Sequence, residues 1–390
     1  MSKWEMVRLG DVCDVRDGTH DSPKYVNQGY PLITSKNVTK GYIDFSDVNL
    51  ISYYDYKEIN KRSKVDVGDI IMPMIGTIGQ PIIISNFERP FAIKNVALIK
   101  FNNDHVHNIY VKDILKSTIF KIFVDRISRG GTQKFIALKD IRAFSFPLPP
   151  LHIQQKIASI LDRTSTLVEK RKEQVSKLDM LVKSQFIKTF GDPVTNPMGW
   201  EVVTLSVACK KITDGTHFSP KSYKDGEYKY ITAKNIKQDG FDFTNLTYVN
   251  ESVHKDIYGR CNPEYRDVLY IKDGVTTGIA QINTLTEGFS LLSSVALLKP
   301  NFDTISEYYL RDVLNNQMMY TKIRANMGGA AITRLTVAKI KEINIPLPPL
   351  ALQTRFAEFV QATDKSKSET QRSLDNLELL YKSLMQQYFC

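Results

Sequence analysis

Cysteine is scarce in this chain: Cys13, Cys209, Cys261 and Cys390 are the four among 390 residues, and all lie far apart. That scatter argues against a disulfide framework or a zinc site and fits free thiols in a reducing cytoplasm. The His-Glu-x-x-His and Cys-x-x-Cys spacings of metal sites are absent as well, so no metal is expected. No apolar run is long enough to cross a bilayer. The most apolar one, residues 70–84, is broken by Pro73, Gly76, Gly79 and Pro81, and reads as buried strands joined by turns. Residues 1–10 hold no apolar signal segment, so a cytoplasmic protein with no membrane partner is expected. Proline and glycine are themselves missing from residues 151–190 and again from 351–390. Nothing in those two stretches stops a helix.

What is present describes a soluble globular chain, with 42% hydrophobic and 24% charged residues. Its 390 residues exceed one ordinary core and suggest two domains. The net charge of +10 and a pI near 9.1 favour a polyanionic partner, above all nucleic acid.

The organising feature is a repeat. Asp17 to Lys24 reads DGTHDSPK, and DGTHFSPK returns 197 residues later, from Asp214 to Lys221. Trp4-Glu5 returns as Trp200-Glu201, and Ile33-Thr34-Ser35-Lys36-Asn37 as Ile231-Thr232-Ala233-Lys234-Asn235. Val96-Ala97-Leu98-Ile99-Lys100 returns as Val295-Ala296-Leu297-Leu298-Lys299. Gly130-Gly131 matches Gly328-Gly329, and Pro147-Leu148-Pro149-Pro150-Leu151 matches Pro346-Leu347-Pro348-Pro349-Leu350. The matches keep their order and nearly constant spacing, which is the mark of tandem duplication. Within the octapeptide, Asp17 and His20 could act as acid and base or as metal ligands, but no second feature supports that chemistry. A turn is favoured, in which the aspartate caps its own backbone, the glycine takes positive φ and Ser-Pro restarts an extended chain.

Each repeat has two parts. Residues 1–150 and 191–349 carry β-branched and aromatic runs punctuated by Gly, Pro, Asn and Asp, and should be strand-dominated. The clearest strands are 70–74, 82–85 and 96–101, with helices at 109–124 and 305–323. The second parts, 151–190 and 350–390, begin at Pro-Leu-Pro-Pro-Leu, where proline favours a first helical turn. About 38 residues of helix would reach roughly 57 Å. A stripe at alternating spacings of four and three runs through Ile153, Ile157, Ile160, Thr164, Leu167, Arg171, Gln174, Leu178 and Leu181. Its equivalent runs through Leu352, Phe356, Phe359, Thr363, Ser366, Thr370, Ser373, Leu377 and Leu380. Both are apolar at the ends and polar in the middle. An antiparallel pair places the apolar start of one helix beside the apolar end of the other and keeps the two β-rich parts apart.

Two β-rich parts, each closing with Pro-Leu-Pro-Pro-Leu and a long glutamine-bearing helix (Gln154-Gln155 and Gln353), resemble a type I restriction–modification specificity subunit. The resemblance covers essentially the whole chain. It implies an α+β fold of two tandem-repeated target-recognition domains separated by long antiparallel coiled-coil helices with approximate twofold symmetry. It also implies partners: double-stranded DNA, two adenine methyltransferase subunits, and restriction subunits in the full complex. The chain itself is then not an enzyme and holds no cofactor. In agreement, no Gly-rich loop leads into Lys-Ser or Lys-Thr, and no Asn-Pro-Pro-Tyr or Asp-Pro-Pro-Tyr segment occurs. The glycines of residues 75–79 and 275–278 read as strand turns rather than cofactor loops. A duplicated protein-binding scaffold without DNA specificity is the competing reading. Added salt separates the two, because phosphate contacts weaken steeply with ionic strength.

Base-reading residues should sit on loops held by the β framework. Candidates are Arg126, Arg129, Gln133 and Lys134 in the first repeat, and Arg324 and Arg334 in the second. Lys24 and Lys221 are charges delivered by the octapeptide, while Lys36 and Lys234 are either shared phosphate contacts or turn residues. On the helices, Val168, Val175, Phe186, Leu374, Tyr381 and Met385 are apolar candidates for docking the methyltransferase. They could equally widen the seam between the helices.

Overall fold

The computed structural model describes residues 4–38, 41–76, 78–86, 89–102, 104–127, 135–325, 327 and 334–389. The chain forms two compact units, Met1–Lys172 with Arg372–Cys390, and Glu173–Gln371. Each unit therefore takes a β-rich part and a portion of both long helices.

The two β-rich parts share one topology. In the first unit a four-stranded antiparallel sheet runs in the order Asp14–Asp17, Val96–Lys100, Ile70–Pro73, Ile82–Ile83. A three-stranded sheet orders Asn49–Ile51, Tyr25–Ile33 and Ala92–Ile93, and Met6–Arg8 pairs with Ser145–Pro147. The second unit repeats all three: Cys209–Asp214, Val295–Pro300, Val268–Ile271, Ala280–Ile282; then Thr247–Val249, Tyr228–Ile231, Ser290–Leu291; then Val202–Thr204 with Asn344–Pro346.

The central strands lack polar alternation because the sheet is covered on both faces. Successive side chains point to opposite sides. Ile70, Met72, Ala97 and Ile99 enter one core, and Ile71, Val96 and Leu98 the other. Val268, Tyr270, Ala296 and Leu298 repeat the first set, and Leu269, Ile271, Val295 and Leu297 the second.

Each helix expected at 109–124 and 305–323 is broken in two. The first is Asn108–Lys116 and Thr118–Ile127, the second Glu307–Asn315 and Gln317–Ala325. Ser117 and Asn316 leave helical geometry, at ψ 163° and 133°. The Asn316 carboxamide oxygen accepts from the backbone N–H groups of Met318 and Met319, so it caps the following helix.

The octapeptide differs from the expected turn. Gly18 and Gly215 do not have positive φ, and neither aspartate caps its own backbone. A Cβ at Gly18 would lie 2.2 Å from the Ile93 carbonyl oxygen, and one at Gly215 2.1 Å from that of Leu291. The glycine is there so that backbone can meet backbone. Thr19 N–H then donates to Ile93 at 3.0 Å and Thr216 N–H to Leu291 at 2.8 Å, which ties the first strand of the four-stranded sheet to the edge of the three-stranded one.

The long helices are Leu151–Phe190 and Leu350–Phe389. In the first unit the start of one helix (Ile157, Leu161) shares a core with the end of the other (Met385, Phe389). In the second unit Phe186 and Phe190 share a core with Phe356 and Val360. The helices run antiparallel in each unit. Lys172 pairs with Glu378 at 2.7 Å in the first, and Lys367 with Asp179 at 2.6 Å in the second.

The inward stripe is rotated from the expected one. Leu167, Gln174, Leu181, Ser366 and Leu380 are exposed, whereas Leu161, Val168, Val175, Val182, Val360, Leu374 and Tyr381 are buried or half-buried. Every second position moves on by one residue, so the alternating spacing survives with a different phase. In the polar middle, the hydroxyls of Thr164, Thr363 and Thr370 each donate to the carbonyl four residues back at 2.8 Å. That local bond lets threonine occupy an inward site without a cross-helix partner.

Candidate nucleic-acid interface

The repeated octapeptide builds the same cluster twice. Asp17 is buried, its Oδ2 lies 2.7 Å from His20 Nε2, and Arg62 ion-pairs with its other oxygen. Asp214 is likewise buried, 3.2 Å from His217 Nε2 and 3.6 Å from the Arg260 guanidinium. Both histidine side chains are 64% exposed, so a fixed carboxylate holds a ring at the surface. Lys24 and Lys221 are exposed, with the Lys221 ammonium 5.4 Å from the Tyr223 ring centre.

The repeated Lys-Asn pair divides its labour. Asn37 is buried, accepts from the Thr34 N–H at 3.0 Å, and donates to the carbonyls of Asp44 and Asp47 at 3.1 and 2.9 Å. Asn235 repeats this with Thr232 and Asp242, at 3.0 and 3.1 Å. The asparagine is framework. Lys36 and Lys234 stay exposed, and Lys36 pairs with Asp47 at 3.0 Å.

The reading candidates fall into three groups. Arg129, Gln133 and Lys134 lie outside the described residues. Arg126 is exposed in the last turn of Thr118–Ile127. Arg324 is turned inward: its guanidinium donates to the carbonyls of Val275 and Thr277 at 3.3 and 2.8 Å and lies over the Tyr320 ring at 5.3 Å. The equivalents of Tyr320 and Arg324 in the first unit are Lys121 and Asp125, and there a cavity of about 260 Å³ opens beside Gly76 and Gly79.

Arg334 remains exposed and ends a charged chain. Its Nε lies 3.7 Å from Asp273, Asp273 is 3.0 Å from Lys272, and Lys272 is 3.6 Å from Asp214 of the octapeptide cluster. The backbone carrying it is the same in both units, since Asp273 bridges Arg334 as Ile75 bridges Phe135. The first unit thus has Met74, Ile75 and Phe135 where the second has Lys272, Asp273 and Arg334.

None of the six helix candidates is exposed: Phe186, Leu374 and Met385 are buried, and Val168, Val175 and Tyr381 half-buried. Burial pushes the Tyr381 hydroxyl up to about 12. The exposed apolar residues of the helices are instead Leu167, Met180, Leu181, Ile187, Leu379 and Leu380. Burial also pushes the Cys13, Cys209 and Cys261 thiols up to about 12, which makes them packing residues rather than nucleophiles. Among the described residues, no three of His, Cys, Asp or Glu gather to hold a metal, and no helix is long and apolar enough to cross a membrane.

The profile of the type I restriction modification DNA specificity domain matches residues 1–177 and again 197–379. The chain belongs to that family. Its members target the restriction–modification system rather than perform its chemistry, and this specificity subunit is accordingly non-catalytic. The MjaIX specificity subunit of Methanocaldococcus jannaschii is 22% identical over 405 residues, covering 98% of this chain and 91% of its own. The EcoKI specificity subunit of Escherichia coli is 25% identical over 195 residues, covering 49% of this chain and 41% of its own. Among solved structures, the S subunit from M. genitalium superposes with a TM-score of 0.64 at 14% identity, covering 100% of this chain and 96% of that one. A chain from work on complex assembly and conformational transition of the type I system gives 0.58 at 18% identity, covering 98% and 96%. At such identities the likeness is one of fold.

Ion pairs that hold the repeated framework of the specificity subunit were not singled out by chemistry. Lys100 is bound by Asp66 and Asp69 at 2.9 and 2.5 Å, and Lys299 by Glu264 and Asp267 at 3.0 and 2.8 Å. The signal was the repeat itself, because a lysine that closes two copies of one apolar strand is under the same constraint in both.

Proposed function

We propose that this specificity subunit reads a bipartite DNA target, one half-site per unit, and docks two adenine methyltransferase subunits to which restriction subunits add, in the cytoplasm. Residues 1–150 and 191–349 serve as the target-recognition domains, and 151–190 and 350–390 as spacer helices. The observation that carries this reading is a repeated frame with an altered surface. The octapeptide cluster, the buried asparagine and the sheet pairings repeat, while Met74, Ile75 and Phe135 give way to Lys272, Asp273 and Arg334. Two heads that must hold DNA alike but read it differently need that division, because phosphate contacts position and base contacts specify. The exposed Leu167, Leu181, Leu379 and Leu380 supply apolar cover for a docked subunit.

The test is selection of bound or methylated sequences by the chain with its methyltransferase partner. Exchanging 191–349 for the equivalent part of a relative should change one half-site and leave the other and the gap intact. With both heads in major grooves on one face, half-site centres should lie roughly 34 Å apart. A chain ending at Phe190 should select an inverted repeat of the first half-site. Phe186 and Phe190 of a second copy are the repeat equivalents of Met385 and Phe389, and would replace them in the first unit's core. Recovery of the asymmetric site by the truncated chain would overturn the two-head reading.

A further inference from the structure

Because the two units share one framework, each shows what a given position in the other is able to hold. In the first unit Phe120, Phe123 and Phe144 form an aromatic cluster, with ring centroids 6.3, 4.8 and 5.1 Å apart. The equivalent positions, 199 residues on, are Met319, Lys322 and Ile343. No ring stands there. A cavity of about 260 Å³ opens instead, floored by buried Met319, Ile323 and Leu335 and rimmed by exposed Lys322, Lys339 and Glu342. The size falls below the roughly 300–1,000 Å³ that houses drug-sized molecules and suits a single side chain. A lysine at 322 keeps its ammonium in water, so it does not refill the volume that a phenylalanine ring takes.

We propose that this cavity is a docking pocket for one aromatic side chain, phenylalanine or tyrosine, presented by an acidic segment of a partner protein. The ring would take the place that Phe123 occupies among Phe120 and Phe144 in the first unit. Two lysines against one glutamate on the rim favour carboxylates beside the ring. The first unit fills its own slot, so the anchor belongs to the second unit alone. A partner that met both units would therefore tell them apart. The inference does not depend on which DNA is read.

The experiment uses the full-length chain and the peptide acetyl-Glu-(4-fluoro-Phe)-Glu-amide, observed by fluorine NMR. One saturable site is expected, with a Kd on the order of millimolar as befits a single anchored side chain. An Ala-for-Phe peptide should not compete. Lys322→Phe fills the pocket as the first unit does and should weaken the peptide at least about tenfold, while the melting temperature holds or rises. Ile343→Phe fills it from the opposite wall and gives an independent readout if Lys322→Phe fails to fold. Phe123→Lys with Phe144→Ile opens the matching slot and should raise the stoichiometry from one to two. Absence of binding to the wild-type chain, or undiminished binding to a folded pocket-filled variant, overturns the proposal.

Discussion

The Oε1 atom of Gln154 accepts a hydrogen bond from the His107 backbone N–H at 2.8 Å, and its amide donates to the carbonyls of His105 and Pro149, each at 2.8 Å. Gln353 repeats the arrangement with Ser306, Thr304 and Pro348 at 2.9, 3.0 and 2.7 Å. Both glutamines are fully buried in the first turn of a long helix. They lock that helix to the β-rich part it follows, and Tyr110 and Tyr309 add hydroxyl bonds to Pro147 and Pro346 at 2.8 and 2.6 Å.

Replacing either glutamine by alanine should leave one backbone N–H and two carbonyls without their side-chain partner, the Pro149 or Pro348 carbonyl among them in a buried site. The expected loss is about 3 kcal/mol, or about 6–12 °C in Tm for a unit of this size. Hydrogen exchange should show Gln353→Ala loosening residues 304–306 while 105–107 keep their protection. Equal loosening at both places would mean that the lock is not local.

Gly18→Ala or Gly215→Ala should drive a methyl group into the backbone of the neighbouring sheet. About 3 kcal/mol of destabilisation in denaturant titrations is expected, at the upper end for overpacking. Gly259, with nothing within 4 Å of a built Cβ, sits in the helix Glu251–Arg260. Gly259→Ala should stabilise by about 0.5–1 kcal/mol, and this opposite sign is the control.

Asp113 is buried, 3.6 Å from the Lys112 ammonium, and its Oδ2 has no hydrogen-bond partner among the described residues. Burial raises its carboxyl from 3.8 to about 6. The folded value exceeds the unfolded one, so the ionisation penalty is absent below about pH 4, grows as pH rises from there towards 6, and levels off above the folded value. Asp113→Asn should therefore be more stable than the wild-type chain by roughly 2–3 kcal/mol at pH 7 and indistinguishable near pH 4. Unfolding free energies for the two proteins across pH 4–8 check this. The second unit supplies a contrast, because Arg311 binds the equivalent Asp312 at 2.6 Å.

Lys24→Ala and Lys221→Ala should weaken DNA binding for all sequences alike and reduce the salt slope by about 0.9 for each phosphate that the lysine neutralises. Arg334→Ala should instead relax selectivity by about 1–3 kcal/mol at one position of the second unit's half-site. Binding curves at several salt concentrations on cognate and singly substituted duplexes separate the two effects. A uniform weakening on Arg334→Ala would place that arginine on the phosphates.

Tandem repetition, the extent of the two long helices and the burial of the central strands were legible in the sequence, because each follows from the order and local composition of residues. Two stretches without proline or glycine became two 40-residue helices, and doubly apolar runs such as Ile70–Pro73 became central strands. The phase of the helix seam was not legible. Leu167 and Val168, or Leu181 and Val182, are apolar neighbours about 100° apart on a helix, and only the packing of Phe186 against Phe356 and of Met385 against the first unit's core chose between them. The role of the octapeptide was decided in the same way. Asp17 looks like a turn residue until Arg62, distant in sequence, is folded against it, and Gly18 looks like a positive-φ glycine until the strand at Ile93 arrives 2.2 Å from its missing Cβ. Arg324 and Arg334 are equally basic in sequence. Tertiary structure turned one inward onto the carbonyls of Val275 and Thr277 and left the other at the surface, because a cation's availability depends on which acceptors the fold brings within reach.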